Sequence, residues 1–162
     1  MAHFRGVLCA MVGVCVLGPT AAAHADTPPP SVGMGCTAEL GDAMTLLPDQ
    51  TTYVACREVG RGYAWAVVQT PFPPNDTWLS YGAPIILHGQ GMRNPNLSSG
   101  RWTATPRKPE ASCRATLTTV VEAGVLAPPQ VVEAAQGKPL TLEMSPSLFY
   151  AELAGDCLWV KQ

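Results

Sequence analysis

The sequence is poor in charge. Only 14% of its 162 residues are Asp, Glu, Lys or Arg, and the formal net charge is -2. A nucleic-acid binder normally carries a basic stripe, so that class is excluded. No apolar run approaches the roughly 20 residues that a membrane-spanning helix needs. Histidine is scarce too: of the 3 present, only His88 lies beyond residue 25. No H-E-x-x-H, G-x-S-x-G, phosphate-cradling loop or dinucleotide fingerprint occurs, so no metal or cofactor is expected. Uninterrupted helical stretches are missing as well. The 16 prolines and 15 glycines are spread along the whole chain, which excludes a coiled coil or long-helix bundle.

What is present begins with an address. Arg5 gives a positive start, Val7 to Leu17 an apolar run, and Ala21-Ala22-Ala23-His24-Ala25 a small-residue end. Ala23-x-Ala25 fits the pattern read by a signal peptidase, so residues 1–25 are expected to be removed and Asp26 to begin the mature chain. Cys9 and Cys15 lack the small residues that precede a lipidated cysteine at the end of such a run. Both are expected to leave with the leader.

Cys36, Cys56, Cys113 and Cys157 remain. An even number of cysteines behind a secretory leader reads as a disulfide framework. None stands in the close C-x₂₋₄-C pairs from which structural zinc sites draw their ligands. Of the three possible pairings, Cys36–Cys56 with Cys113–Cys157 is preferred, because each bridge then closes a local half of the chain. Chain-entropy reasoning gives such loops roughly 3 and 4 kcal/mol.

Residues 26–35, from Asp26-Thr27-Pro28-Pro29-Pro30 to Gly35, read as a flexible Pro/Gly lead-in, and 36–162 as one β domain. Thr37 to Leu47 is ambiguous, with Leu40, Met44 and Leu47 at helical spacing and Gly41 against it. Thr51–Cys56 and Tyr63–Val68 are rich in β-branched and aromatic residues, with Gly60-Arg61-Gly62 between them. They form the clearest hairpin. Shorter strands are expected at Pro84–His88, Arg101–Thr105, Arg114–Glu122 and Leu140–Met144. A second hairpin is expected from Leu148–Leu153 and Cys157–Val160 about Ala154-Gly155-Asp156. Pro128 to Gly137 has the Pro-first, Gly-last signature of a short helix. The predicted class is mainly β: an antiparallel sandwich or small barrel with two disulfides and room for one or two short helices.

Two segments carry a resemblance. The Ala-rich, charge-poor leader is similar to those of exported actinobacterial, mycobacterial-type proteins. Gly155-Asp156-Cys157-Leu158-Trp159 resembles the ending of some small exported β-rich proteins of that group, whose roles are unassigned. The resemblance implies export and a β-rich fold, and no activity. A Cys beside a Trp also packs a disulfide against an indole in any sandwich. With a bacterial-looking leader, the N-x-[ST] matches at Asn75 and Asn96 are read as coincidence.

The expected functional segment is Pro71 to Trp102. Prolines brace Phe72, Trp78 and Tyr81, then Arg93 and Trp102 follow, and a braced loop loses little entropy on meeting a ligand. The opposing reading is that these aromatics fold back and pin the loop. His88 ends an apolar strand and reads as a structural or solvent-facing histidine, since no nucleophile is positioned beside it by any motif. The function expected is therefore a secreted or envelope-associated, non-catalytic binding protein whose partner is a protein or a cell-envelope component. An inhibitor of a secreted hydrolase, presenting residues 71–82, is the first alternative. A small hydrolase using a carboxylate pair is the second.

Overall fold

The computed structural model describes residues 27–162. The predicted leader and the mature start at Asp26 lie outside those residues. The described chain is mainly β, with both expected disulfides formed: Cys36–Cys56 and Cys113–Cys157.

Two long strands organise it. Strands β1 (Gly35–Cys36), β2 (Met44–Leu46), β3 (Tyr53–Val59) and β4 (Gly62–Val67) precede the first, β5 (Thr77–His88). After it come β6 (Gly100–Pro106), β7 (Arg114–Glu122), β8 (Val125–Leu126), β9 (Gln130–Glu133) and β10 (Leu140–Met144). The second long strand, β11 (Leu148–Lys161), closes the chain. β5 and β11 pair antiparallel from Thr77↔Val160 to His88↔Tyr150. The other edge of β11 is shared: its first half, to Ala154, pairs with β7 and its last, from Cys157, with β6.

This sharing requires a bend. The register slips between Leu153 and Gly155, and Gly155 pairs with Gly82 across the ladder. Both glycines have positive φ, +90° and +121°, a region that a Cβ disfavours. A Cβ on Gly155 would also lie 2.1 Å from the Ser112 carbonyl oxygen. The expected second hairpin is thus corrected: Gly155 makes a bulge inside one strand, not a turn between two. A positive-φ glycine serves either purpose.

The sheet that results is open and mixed. One limb runs β1-β4-β3-β2-β5-β11-β6-β10, and the other carries β7 with β8 and β9 beside it. The contact of β2 with β5, at Met44↔Trp78, is parallel. Both limbs fill one core. Trp78, Trp102 and Trp159 from the first meet Ile85, Leu87, Leu117 and Leu153 near the second. Each of the three indole N–H groups finds an acceptor: Asn75 O at 3.1 Å, Ser98 O at 3.0 Å and Ser80 Oγ at 2.9 Å. Burial of these rings therefore leaves no orphan donor.

A smaller core of Leu40, Ala43, Val54, Cys56, Trp65 and Leu79 lies on the opposite face of β3 and β5. The Pro-rich segment lies against it. Pro30 is buried, Gly33 N donates to Trp65 O at 2.8 Å, and Trp65 N donates to Met34 O at 2.9 Å. Thr27 Oγ1 donates to the buried Asp156 at 2.6 Å, while Arg107 and Lys108 pair with the same carboxylate.

Neither candidate segment forms an α-helix. Thr37–Leu47 holds one 3-10 turn (Ala38–Leu40) and then β2. Pro128–Gly137 contains β9, because Val131 and Val132 pair with Thr116 and Ala115 of β7. A β-branched pair beside an open strand edge outweighs the helix-end signature.

The bend makes a prediction. Gly124 also has positive φ, +78°, but nothing within 4 Å of its would-be Cβ. Gly124→Ala should cost about 1–2 kcal/mol, the backbone penalty alone. Gly155→Ala adds a backbone clash and should cost several kcal/mol more. Urea unfolding of both oxidised variants measures the difference; equal costs would mean that β11 does not bend tightly at Gly155.

Candidate functional site

The structure divides the five residues of the predicted interaction segment. Trp78 and Trp102 have 0% exposure and Tyr81 5%, so none of the three can touch a ligand directly. This corrects the reading of residues 71–82 as an exposed aromatic loop. The irregular stretch ends before Thr77, where β5 begins, and Trp78 and Tyr81 are strand residues. Tyr81 donates its hydroxyl to Leu46 O at 2.7 Å. Trp102 sits within β6. Phe72 and Arg93 remain accessible, and the fold brings them to one place.

That place is a cleft of about 390 Å³. One wall is built from Tyr53, at the start of β3, and from Thr70, Pro71 and Phe72, which follow β4. The Thr70–Pro71 peptide is cis. The Tyr53 and Phe72 rings meet edge to face, with centroids 5.0 Å apart, and both lean on Trp78 at 6.1 and 6.5 Å. Such offset contacts suit the ring quadrupoles. Trp78 is therefore the backing of the wall.

The turn before Tyr53 is set by Asp49. Its carboxylate accepts from Thr51 N, Thr52 N and Thr52 Oγ1 at 3.0, 2.9 and 2.6 Å. The Thr52 hydroxyl, then the two amides, hold the Asp49 carboxyl down to about 2. This local cap fixes where β3 starts and so where Tyr53 stands.

The rest of the lining is polar: His88, Arg93, Asn94 and Asn96. Gly89 and Gly91 let its loop press against Ser147 and Leu148 at the start of β11. A Cβ would fall 2.4 Å from Leu148 O at the first and 2.7 Å from Ser147 O at the second. Gly91 N donates to Leu148 O at 2.7 Å. The loop turns through Asn94 at φ +54°, a conformation that Asn tolerates better than most residues. It then ties back to the end of β5. Asn96 N and Leu97 N donate to His88 O at 2.8 and 3.0 Å, and His88 N donates to Asn96 Oδ1 at 2.8 Å. Asn96 is buried, so its position is fixed.

Burial pushes the Tyr53 phenol above its ordinary value, with a bond to the Asn96 side chain opposing. Tyr53 therefore stays neutral near pH 7 and keeps a hydroxyl donor at the cleft. No carboxylate lines the cleft, and the ion pairs among the described residues involve Arg57, Arg107, Lys108 and Lys161. Arg93, exposed, lines the cleft and has no ion-pair partner among the described residues. This arrangement can hold a ligand by ring contact, amide hydrogen bonds and one cation. His88 has no acid beside it in the lining, and the hydrolase alternative finds no carboxylate pair here.

Tyr53, Thr70, Asn94 and Asn96 were not among the sequence candidates. The signal for the two asparagines was the glycine-spaced run Gly89-Gln90-Gly91 ahead of Arg93-Asn94-Pro95-Asn96, a loop chemistry rather than a motif. Tyr53 had none, because a strand aromatic reads as core.

A second hollow of about 210 Å³ lies under the Pro-rich segment, between Pro28, Met34, Trp65 and Arg107. Among the described residues no group of three or more His, Cys, Asp or Glu is placed to hold a metal ion. No helix among them is long and apolar enough to cross a membrane.

The division of the aromatics is testable by stability alone. Trp78→Ala should cost roughly 3–5 kcal/mol, as for a buried Trp, while Arg93→Ala should stay within about 0.5 kcal/mol of the parent. Thermal and urea unfolding measure both. A Trp78→Ala variant as stable as the parent would return Trp78 to the surface. No protein-family model matches the chain, and neither a curated protein nor a solved structure does so.

Proposed function

We propose that the chain is a secreted or envelope-associated, non-catalytic binding protein of the exported actinobacterial type, with the cleft between Phe72 and Arg93 as its ligand site. The leader pattern and the small-residue cleavage signature support export. The two disulfides are compatible with an oxidising compartment. One observation carries the binding reading: one cleft is lined by two half-buried aromatics, Tyr53 and Phe72, and by Arg93, which has no ion-pair partner among the described residues, and its lining holds no acid. Concave sites with a few placed polar groups on an apolar wall are the usual form of small-ligand sites. An inhibitor instead needs a protruding loop. Phe72 packs on Tyr53 and Trp78, which favours the cleft over that alternative.

Binding of the labelled protein to envelope preparations of the producing cell tests the proposal. Phe72→Ala and Arg93→Ala should each raise the apparent Kd by about fivefold or more, the effect of losing one interface contact of 1 kcal/mol or above. Val59→Ser, at an exposed site on β3 away from the cleft, should bind as the parent does. Full retention by Arg93→Ala at an unchanged melting temperature would remove the cleft as the site.

A further inference from the structure

We infer that the ligand of this cleft is an acidic saccharide, a pyranose ring carrying a carboxylate; the inference rests on the cleft being the binding site. Phe72, Tyr53 and Pro71 contribute rings to the lining but make up only part of it. A wholly apolar ligand would cover the polar residues Asn94 and Thr70 of the lining without offering them partners, each at a desolvation cost. A ligand with one C–H face and a rim of hydroxyls satisfies both parts of the lining at once. A pyranose has that form.

The charge follows from Arg93. A neutral ligand would cover a guanidinium that no carboxylate of the described chain answers. An anionic group completes it, and the planar fork of Arg suits a carboxylate held by two parallel N–H bonds. The lining holds no lysine and no second arginine, so the fixed positive charge matches a singly charged carboxylate better than a doubly charged phosphate. The volume, about 390 Å³, is at the small end for ligand sites and suits one or two rings.

Three probes separate the parts of the inference: digalacturonate, the neutral galactobiose, and glutarate, which has carboxylates but no ring. Amide shifts of the oxidised, secreted protein report where each binds. Digalacturonate should saturate shifts at Phe72, Asn94 and Asn96 and bind about fivefold or more tighter than galactobiose. Arg93→Gln should bring it down to the affinity of galactobiose, and added salt should shrink the preference. Polygalacturonate distinguishes the sources: binding of the polymer as well as the disaccharide points to an envelope chain, and of the disaccharide alone to a free sugar. Galactobiose binding as tightly as digalacturonate overturns the acidic class. Glutarate doing so overturns the saccharide. In both cases the cleft remains the site and only its ligand changes. No cleft shift with any probe overturns the ligand class outright, while envelope binding by Arg93→Ala decides separately whether the cleft binds at all.

Discussion

The antiparallel pairing of β5 with β11, bent at Gly82 and Gly155, is the constraint on which the remaining structure depends. A straight strand of that length has only two neighbours. By bulging between Leu153 and Gly155, β11 takes a third, leaving β7 for β6 halfway along. One continuous ladder thereby supplies residues to both limbs that enclose the core. The Cys113–Cys157 bridge is fastened just past the bend, and its 44-residue span ties the start of β7 to β11. Asp156, between the bulge and that bridge, receives Thr27, Arg107 and Lys108. A single strand thus anchors the Pro-rich segment, a disulfide and the three-tryptophan core.

The cleft follows from the same frame. Leu87 fixes the end of β5 in the core, which sets His88 and the loop bonded to its backbone. On the other side, Trp78 near the start of β5 backs Tyr53 and Phe72. Both walls are thus referred to one strand, one at each end of it, and neither needs the ligand to form. Sites preformed in this way lose little free energy to ordering on binding. Of the groups that would touch a ligand, Phe72 is half-buried against Tyr53 and Trp78, while the exposed Arg93 contributes little to the frame, so at Arg93 fold and binding are separable.

Much of the frame was legible in the residues. β-Branched and aromatic runs placed β3 and β4, a β-branched run placed β7, and the spacing of four cysteines in two halves placed both bridges. Three features were not legible, each for a physical reason. Gly155 has the same signature in a turn and in a bulge, because both demand only positive φ. Val131-Val132 follows a Pro-Pro pair that starts a helix as readily as it precedes an edge strand, and only β7 decides. Trp78 and Tyr81 sit beside prolines that suggested a loop, yet their burial depends on β2 and β11 arriving from distant parts of the chain. Half of the site was visible as Phe72 and Arg93. The other half comes from β3 and from backbone bonds to His88, which no local pattern encodes.

The central claim is that β5 and β11 are one cooperative unit through the bend. Native-state hydrogen exchange tests it most directly, since amides of one unit open with one free energy. The account predicts that amides bonded between β5 and β11 on both sides of Gly155, from Ala151 to Leu158, exchange only through global unfolding with a common denaturant dependence. Separate opening of the Leu148–Leu153 half, at lower free energy and shallower denaturant slope than the Cys157–Lys161 half, would contradict it.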